Sequence, residues 1–231
     1  MDCAPSGAHH GDMTSLHPDR LLPTDPATRA VAHRLYAGTA ELLIVSPLGH
    51  VPAQWLADDT AFGDPTSLPV SPSHLDVVTL ALEDAGTGHD VPVGVEPTRA
   101  LLPLLERFGT ADGFQMVLFT EDETTLSREI APLAGFYPSV YAGAPWWFLD
   151  APAAVHRYRE AVTETAGFCR TSGFVDDTRA SLSIPARRDM ARRLDAGYLA
   201  ELVAGHQLDE DEALETAVDL VTTIPQRTFK L

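Results

Sequence analysis

Cysteine is nearly absent: Cys3 and Cys169 are the only two in 231 residues. Two cysteines cannot build a disulfide framework, and they read as free thiols in a reducing compartment. Positive charge is scarce as well. Sixteen Lys and Arg stand against 33 Asp and Glu, a formal net charge of −17. That balance excludes nucleic acid and anionic membrane as natural partners, because both require a basic surface. No apolar run approaches the length of a bilayer span, and no charged-then-apolar signal segment opens the chain. The expectation is a cytoplasmic protein. A small anionic substrate is not excluded, since a local arginine cluster can attract a carboxylate inside an acidic protein.

Hydrophobic residues make up 45% of the chain, enough for one globular domain with a sizeable core. Residues 1–15 are small, polar and turn-prone and read as a flexible tail, with His9 and His10 incidental to it. Residues 16–231 read as a single domain. Thr24 or Asp25 caps a first helix over 27–37, with Pro26 in its first turn. The apolar run 41–46 reads as a buried parallel strand that leads to His50. Residues 52–58 suit a short helix, 59–70 an irregular loop, and 71–85 a helix capped by Ser71 or Ser73 with His74 in its first turn.

After the break Gly86-Thr87-Gly88-His89-Asp90, the segment 97–108 reads as helical in its second half, because Pro103 suits only a first turn. Residues 114–120 form the clearest strand. Glu121, Asp122 and Glu123 follow it, either as an acid/base group or as the acidic start of a helix over 124–133, and Glu123 fits the helix start better. A strand over 139–143 leads to Pro145-Trp146-Trp147-Phe148, which could wall a pocket or plug a core. Asp150 reads as the cap of a helix over 151–167, and 172–176 as a further strand. Pro185 opens a basic helix running through Val203, and Asp209 with Glu212 makes a capping-box start for the last one. Strands alternating with helices argue for parallel α/β architecture.

The centre of this pattern is Gly173-Phe174-Val175-Asp176-Asp177-Thr178-Arg179, continued by Ser183-Ile184-Pro185-Ala186-Arg187-Arg188-Asp189. An apolar approach ends in two acids and an arginine, after which a proline opens the basic helix. Adjacent carboxylates repel each other unless a cation stands nearby, and Arg179, Arg187 or a metal ion could serve. A solvated acidic loop is the plainer alternative.

These residues resemble the C-terminal signature of the uronate (glucuronate) isomerases. So do Phe119-Thr120-Glu121-Asp122-Glu123-Thr124, Ser127-Arg128-Glu129-Ile130-Ala131-Pro132, Ala144-Pro145-Trp146-Trp147-Phe148 and the earlier run Ser46-Pro47-Leu48-Gly49-His50-Val51. The resemblance implies an amidohydrolase-like (β/α)₈ TIM-like barrel and interconversion of aldose and ketose uronates. It implies a divalent metal, Zn²⁺ or similar, held by His50 and Asp177. Asp177 and Arg179 would be catalytic, with Trp146, Trp147, Arg179, Arg187 and His74 binding a small uronate sugar. Two positions depart from the pattern: Leu48 replaces the first histidine of a His-x-His pair, and Arg188 replaces a histidine.

The family's large central block is also missing, with the junction near 78–90. A complete barrel takes roughly 250 residues before insertions. The expectation is therefore an incomplete barrel of about four parallel strands, those at 41–46, 114–120, 139–143 and 172–176. They would lie as a contiguous arc in the order second, third, fourth, first. Exposed edges would favour a homo-oligomer. Weak or lost isomerase activity is one expectation and a non-catalytic remnant acting through subunit association is the other. A metal-dependent hydrolase on a related barrel would need more histidine ligands than remain.

Overall fold

The structure is a computed structural model that describes residues 16–47, 78–81, 96–145, 149–176 and 183–231. The expected tail, the segments at 52–70 and the break at 86–90 lie outside the described residues. Helix α1, Pro26–Thr39, opens as its sequence predicts: the Asp25 side chain accepts from the Thr28 backbone N–H, and Pro26 stands in the first turn. It buries Ala32 and Leu35 against two later helices, α6 (Ile184–Ala204) and α7 (Glu210–Val221), through Leu199, Ala200, Ala213 and Ala217. The reciprocal capping box of Asp209 and Glu212 begins α7. A short helix α8, Thr223–Phe229, follows it.

The described sheet has three parallel strands in the order β1 (Val78–Ala81), β2 (Met116–Phe119), β3 (Val140–Ala142). Every residue of β2 is buried, which is why 116–119 is continuously apolar rather than alternating. Met116 and Leu118 face a core that includes Leu105, Ile130 and Tyr158. Val117 and Phe119 face the other side, against Tyr141, Val175 and Phe229. Each such side chain contributes about 1.5–3 kcal/mol through its removal from water.

Several expectations from sequence need correction. Strand β1 lies inside the segment read as a helix over 71–85. The run Val77-Val78-Thr79 is β-branched, and pairing with β2 outweighs the helix-start signal of the serines. Helix α2, Pro97–Phe108, is helical throughout, with Pro103 inside it. Leu105 is buried in the core and Leu101 packs beside it, and this burial offsets the hydrogen bond that the proline cannot donate. The helix after β2 begins as α3 (Glu123–Thr125), passes through a π-helical turn over Leu126–Ile130 and continues as α4 (Ala131–Phe136). Helix α5 is Pro152–Ala166, and its cap position is Ala151 without a side-chain bond, so Asp150 does not cap it.

The runs 41–46 and 172–176 form no strand. Thr171 makes a single parallel bridge to Ala142, after which Gly173, at φ 69°, turns the backbone out of the ladder. Segment 41–46 hydrogen-bonds elsewhere: Leu42 O accepts from Arg192 and Val45 N donates to Val221 O. Spatial adjacency nevertheless follows the expected sequence. Beyond β3 comes 171–176, and the Asp176 N–H donates to Ser46 Oγ at 2.8 Å, which places the first run beside the last.

Helix α6 is also tied to the entry segment. Asp189 accepts from Arg20, from Tyr36 OH at 2.5 Å and from Arg193 Nε at 2.9 Å. Burial raises its carboxyl, but the bonds from Tyr36 and Arg193 and the charges of Arg193 and Arg20 prevail, so its pKa lies below the ordinary carboxylate value. A depressed folded-state pKa contributes stability that is present above the unfolded value and lost as pH falls through the folded one. Denaturant titrations are expected to show stability falling below roughly pH 4, with Asp189→Asn losing less of it over that interval. An equal acid slope in the variant would contradict this.

Candidate active site

Parallel strands bring the ends of β2, β3 and the run 172–176 to one side of the sheet, where α6 begins. Pro185 sits in the first turn of α6, so Arg187 and Arg188 follow within the opening turns of that helix. Successive helical residues point about 100° apart, and the two arginines reach different acids. Arg187 pairs with Asp150, and its Nε donates to the Asp176 carbonyl at 3.0 Å. Arg188 holds the Asp176 carboxylate with Nε at 3.0 Å and Nη2 at 2.8 Å, both on Oδ2. The Arg187 guanidinium also stands 5.7 Å from the centre of the Phe174 ring.

The charge pattern explains itself locally. Cations at a helix N-terminus oppose the helix dipole, so Arg187 and Arg188 need acids close by, and Asp150 and Asp176 supply them. Asp176 is buried, and Asp150 is mostly so. Burial lifts the Asp150 carboxyl above its ordinary range, the attraction of Arg187 opposes that, and the neighbouring Asp176 adds to the rise.

The acids after β2 have separate duties. Asp122 caps the following helix, accepting from Thr124 N at 2.9 Å, and Glu123 pairs with Arg157 Nε at 2.6 Å. Glu123 thus takes the helix-start role. Glu121 is buried at the strand end, and Thr120 Oγ1 accepts from the Asp122 N–H at 2.9 Å.

Of the site residues expected from sequence, Arg187 is described and stands in this cluster. His50, His74, Trp146, Trp147, Asp177 and Arg179 lie outside the described residues. From sequence Asp150 reads as a cap and Arg188 only as a departure from a motif, yet they complete the four-charge cluster. The available signal was the pair of arginines at a helix start, which requires acids from elsewhere in the chain. No three His, Cys, Asp or Glu side chains come together among the described residues in a way that could hold a metal. Asp150 and Asp176 each stand beside a guanidinium group, that of Arg187 and that of Arg188.

A profile of glucuronate isomerase sequences matches residues 78–226, the stretch that carries the whole described sheet and the cluster. The chain belongs to the glucuronate isomerase family. Among curated proteins it is 57% identical over 144 residues to a uronate isomerase of Phenylobacterium zucineum, covering 62% of this chain and 30% of the relative. It is 58% identical over 147 residues to a uronate isomerase of Cutibacterium acnes, covering 64% and 31%. Among solved structures, glucuronate isomerase from Caulobacter crescentus superposes with a TM-score of 0.60 at 53% identity, over 63% of this chain and 30% of that one. Uronate isomerase from Thermotoga maritima gives 0.54 at 30% identity, over 57% and 29%. This family member therefore spans about 30% of the length of the curated relatives it matches. The solved relatives support an α/β reading of its helix-rich body and small parallel sheet.

Proposed function

We propose that this chain carries the C-terminal arc of a uronate isomerase site on an open sheet and that, acting alone, it turns over uronates weakly or not at all. The reaction at issue moves a proton between adjacent carbons of D-glucuronate or D-galacturonate through an enediol, giving D-fructuronate or D-tagaturonate. It requires a base, a group that polarises the carbonyl, and cations for the sugar carboxylate. Asp177 is the proposed base, Arg179 and Arg187 the carboxylate-facing cations, and Trp146, Trp147 and His74 the walls of the sugar site. The divalent metal that His50 and Asp177 would share supplies Lewis-acid polarisation when bound.

One observation carries the expectation of low activity. Arg188, at a position where the family motif has histidine, is locked onto Asp176 by both Nε and Nη2. An arginine stays protonated at neutral pH, so it cannot exchange a proton as an imidazole can. Leu48 removes a second imidazole. The proposed place of action is the cytoplasm. Among the described residues no helix is long and apolar enough to cross a membrane.

The test is a coupled assay of the purified chain on D-glucuronate and D-galacturonate, with and without Zn²⁺ or Mn²⁺. Turnover near background is expected. Metal-dependent isomerisation at the rate of a full-length relative would overturn the proposal. The variant Leu48→His/Arg188→His separates point damage from the missing length: a rise of about 10²-fold or more, the scale of a restored general acid/base, would assign the loss to the two side chains. No rise from a folded variant would favour a remnant that acts by associating with another subunit.

A further inference from the structure

We propose that the small cavity between α5, α6 and the run 173–175 is a binding site for ordered water, and that this water links a buried ion pair to the Arg187 cluster. The cavity has a volume of about 20 Å³, and about 10–15 Å³ suffices for one water molecule. Asp150, Arg159 and Asp195 contribute its charged lining, with Phe174 and Leu194 among the apolar walls. Arg159 pairs with Asp195 through Nε at 2.8 Å and Nη2 at 2.7 Å, both on Oδ1. The two side chains are only 5% and 8% exposed.

That geometry uses one side of the guanidinium. Nη1 of Arg159 is buried and has no hydrogen-bond partner in the protein. Leaving a charged donor buried and unmet is costly, so a partner from solvent is required. The lining selects which one. An anion such as chloride would face two carboxylates, and a cation would face Arg159. A water molecule accepts from Arg159 Nη1 and donates to a carboxylate on the same wall, which satisfies both signs at once. Asp150 is the carboxylate that gains most, because burial has stripped most of its solvent and Arg187 is the cation paired with it. Arg159 thereby becomes a positioning residue for Arg187, acting through the water and Asp150. The site stands independently of the reaction proposed above.

A crystal structure of the full chain, with a parallel bromide soak, tests the occupant. Solvent density within hydrogen-bond reach of Arg159 Nη1, with no bromide signal in the cavity, is the expected result. An empty cavity, a bromide peak there, or a protein atom on Nη1 overturns it. The coupling is read from hydrogen exchange at the Arg187 Nε–H in Arg159→Met/Asp195→Leu, which removes the buried pair without leaving a lone charge. Loss of the density and about tenfold faster exchange are expected, the scale of one hydrogen bond in the supporting chain. Unchanged exchange with the water gone would overturn the positioning role. If that variant does not fold, Ala191→Val narrows the same cavity, keeps all four charges, and is read by the same two measurements.

Discussion

Arg159→Met alone is expected to destabilise the protein by about 3–5 kcal/mol, because it leaves Asp195 as an uncompensated buried charge between α5 and α6. The penalty comes from the charge that remains, not from the value of the bond that is lost. Replacing both members with apolar side chains of similar volume removes the desolvation cost along with the attraction, so Arg159→Met/Asp195→Leu is expected to recover most of the loss. Urea denaturation of the two single variants and the double one forms a mutant cycle that measures the pair. A double variant as unstable as the sum of the singles would show that the pair is not the unit assumed. A single variant with wild-type stability would place the ion pair in water. The same cycle bears on the fold, because α5 is also anchored to the sheet at this level: Tyr158, the neighbour of Arg159, is fully buried and donates to Ala142 O of β3 at 3.2 Å. Its hydroxyl is pushed up to about 12 by burial, so it holds its proton throughout the working pH range.

The second large effect is expected at Gly173. Its φ of 69° lies in the left-handed region, where a side chain costs about 1–2 kcal/mol. An added Cβ would also stand 2.7 Å from the Leu220 carbonyl oxygen and 3.1 Å from Pro225 Cδ. The carbonyl belongs to α7 and cannot rotate away. Gly173→Ala is expected to cost about 3 kcal/mol in all, which for a domain of this size is a Tm fall of roughly 6–12 °C. Gly113→Ala is the control, since Gly113 has φ 85° but nothing within 4 Å of the added Cβ. Its cost should stop at the backbone term. Equal losses at the two glycines, seen by calorimetry, would show that the close approach to α7 contributes nothing. A larger loss at Gly173 with the site cluster disturbed would connect this turn to the placing of Asp176, three residues on.

Part of the described cluster was legible because its chemistry is written in short runs. Arg187 and Arg188 behind Pro185 announce cations at a helix start, and Asp176 ends an apolar approach. What could not be read was the pairing. Asp150 looks like a helix cap by position, since an acid before Pro152 is the usual way to begin a helix. It serves Arg187 because the fold brings α6 to the end of β3. Arg159 and Asp195 stand on separate helices with no spacing that connects them, and only packing makes them partners.

The elements divide along the same line. Helix α1, the capping box of α7 and the buried strand β2 follow from local signals: a cap, a proline, a run of apolar residues buried on both faces. Each is decided within a few residues of itself, so the sequence alone determined it. Strand β1 required β2 beside it, and the runs 41–46 and 172–176 lost strand geometry to an arginine, a helix carbonyl and a left-handed glycine. Whether an extended run becomes a strand depends on which neighbour offers it a ladder, and that neighbour lies far along the chain. The tertiary structure decided those elements, and with them the place where Asp176 meets its two arginines.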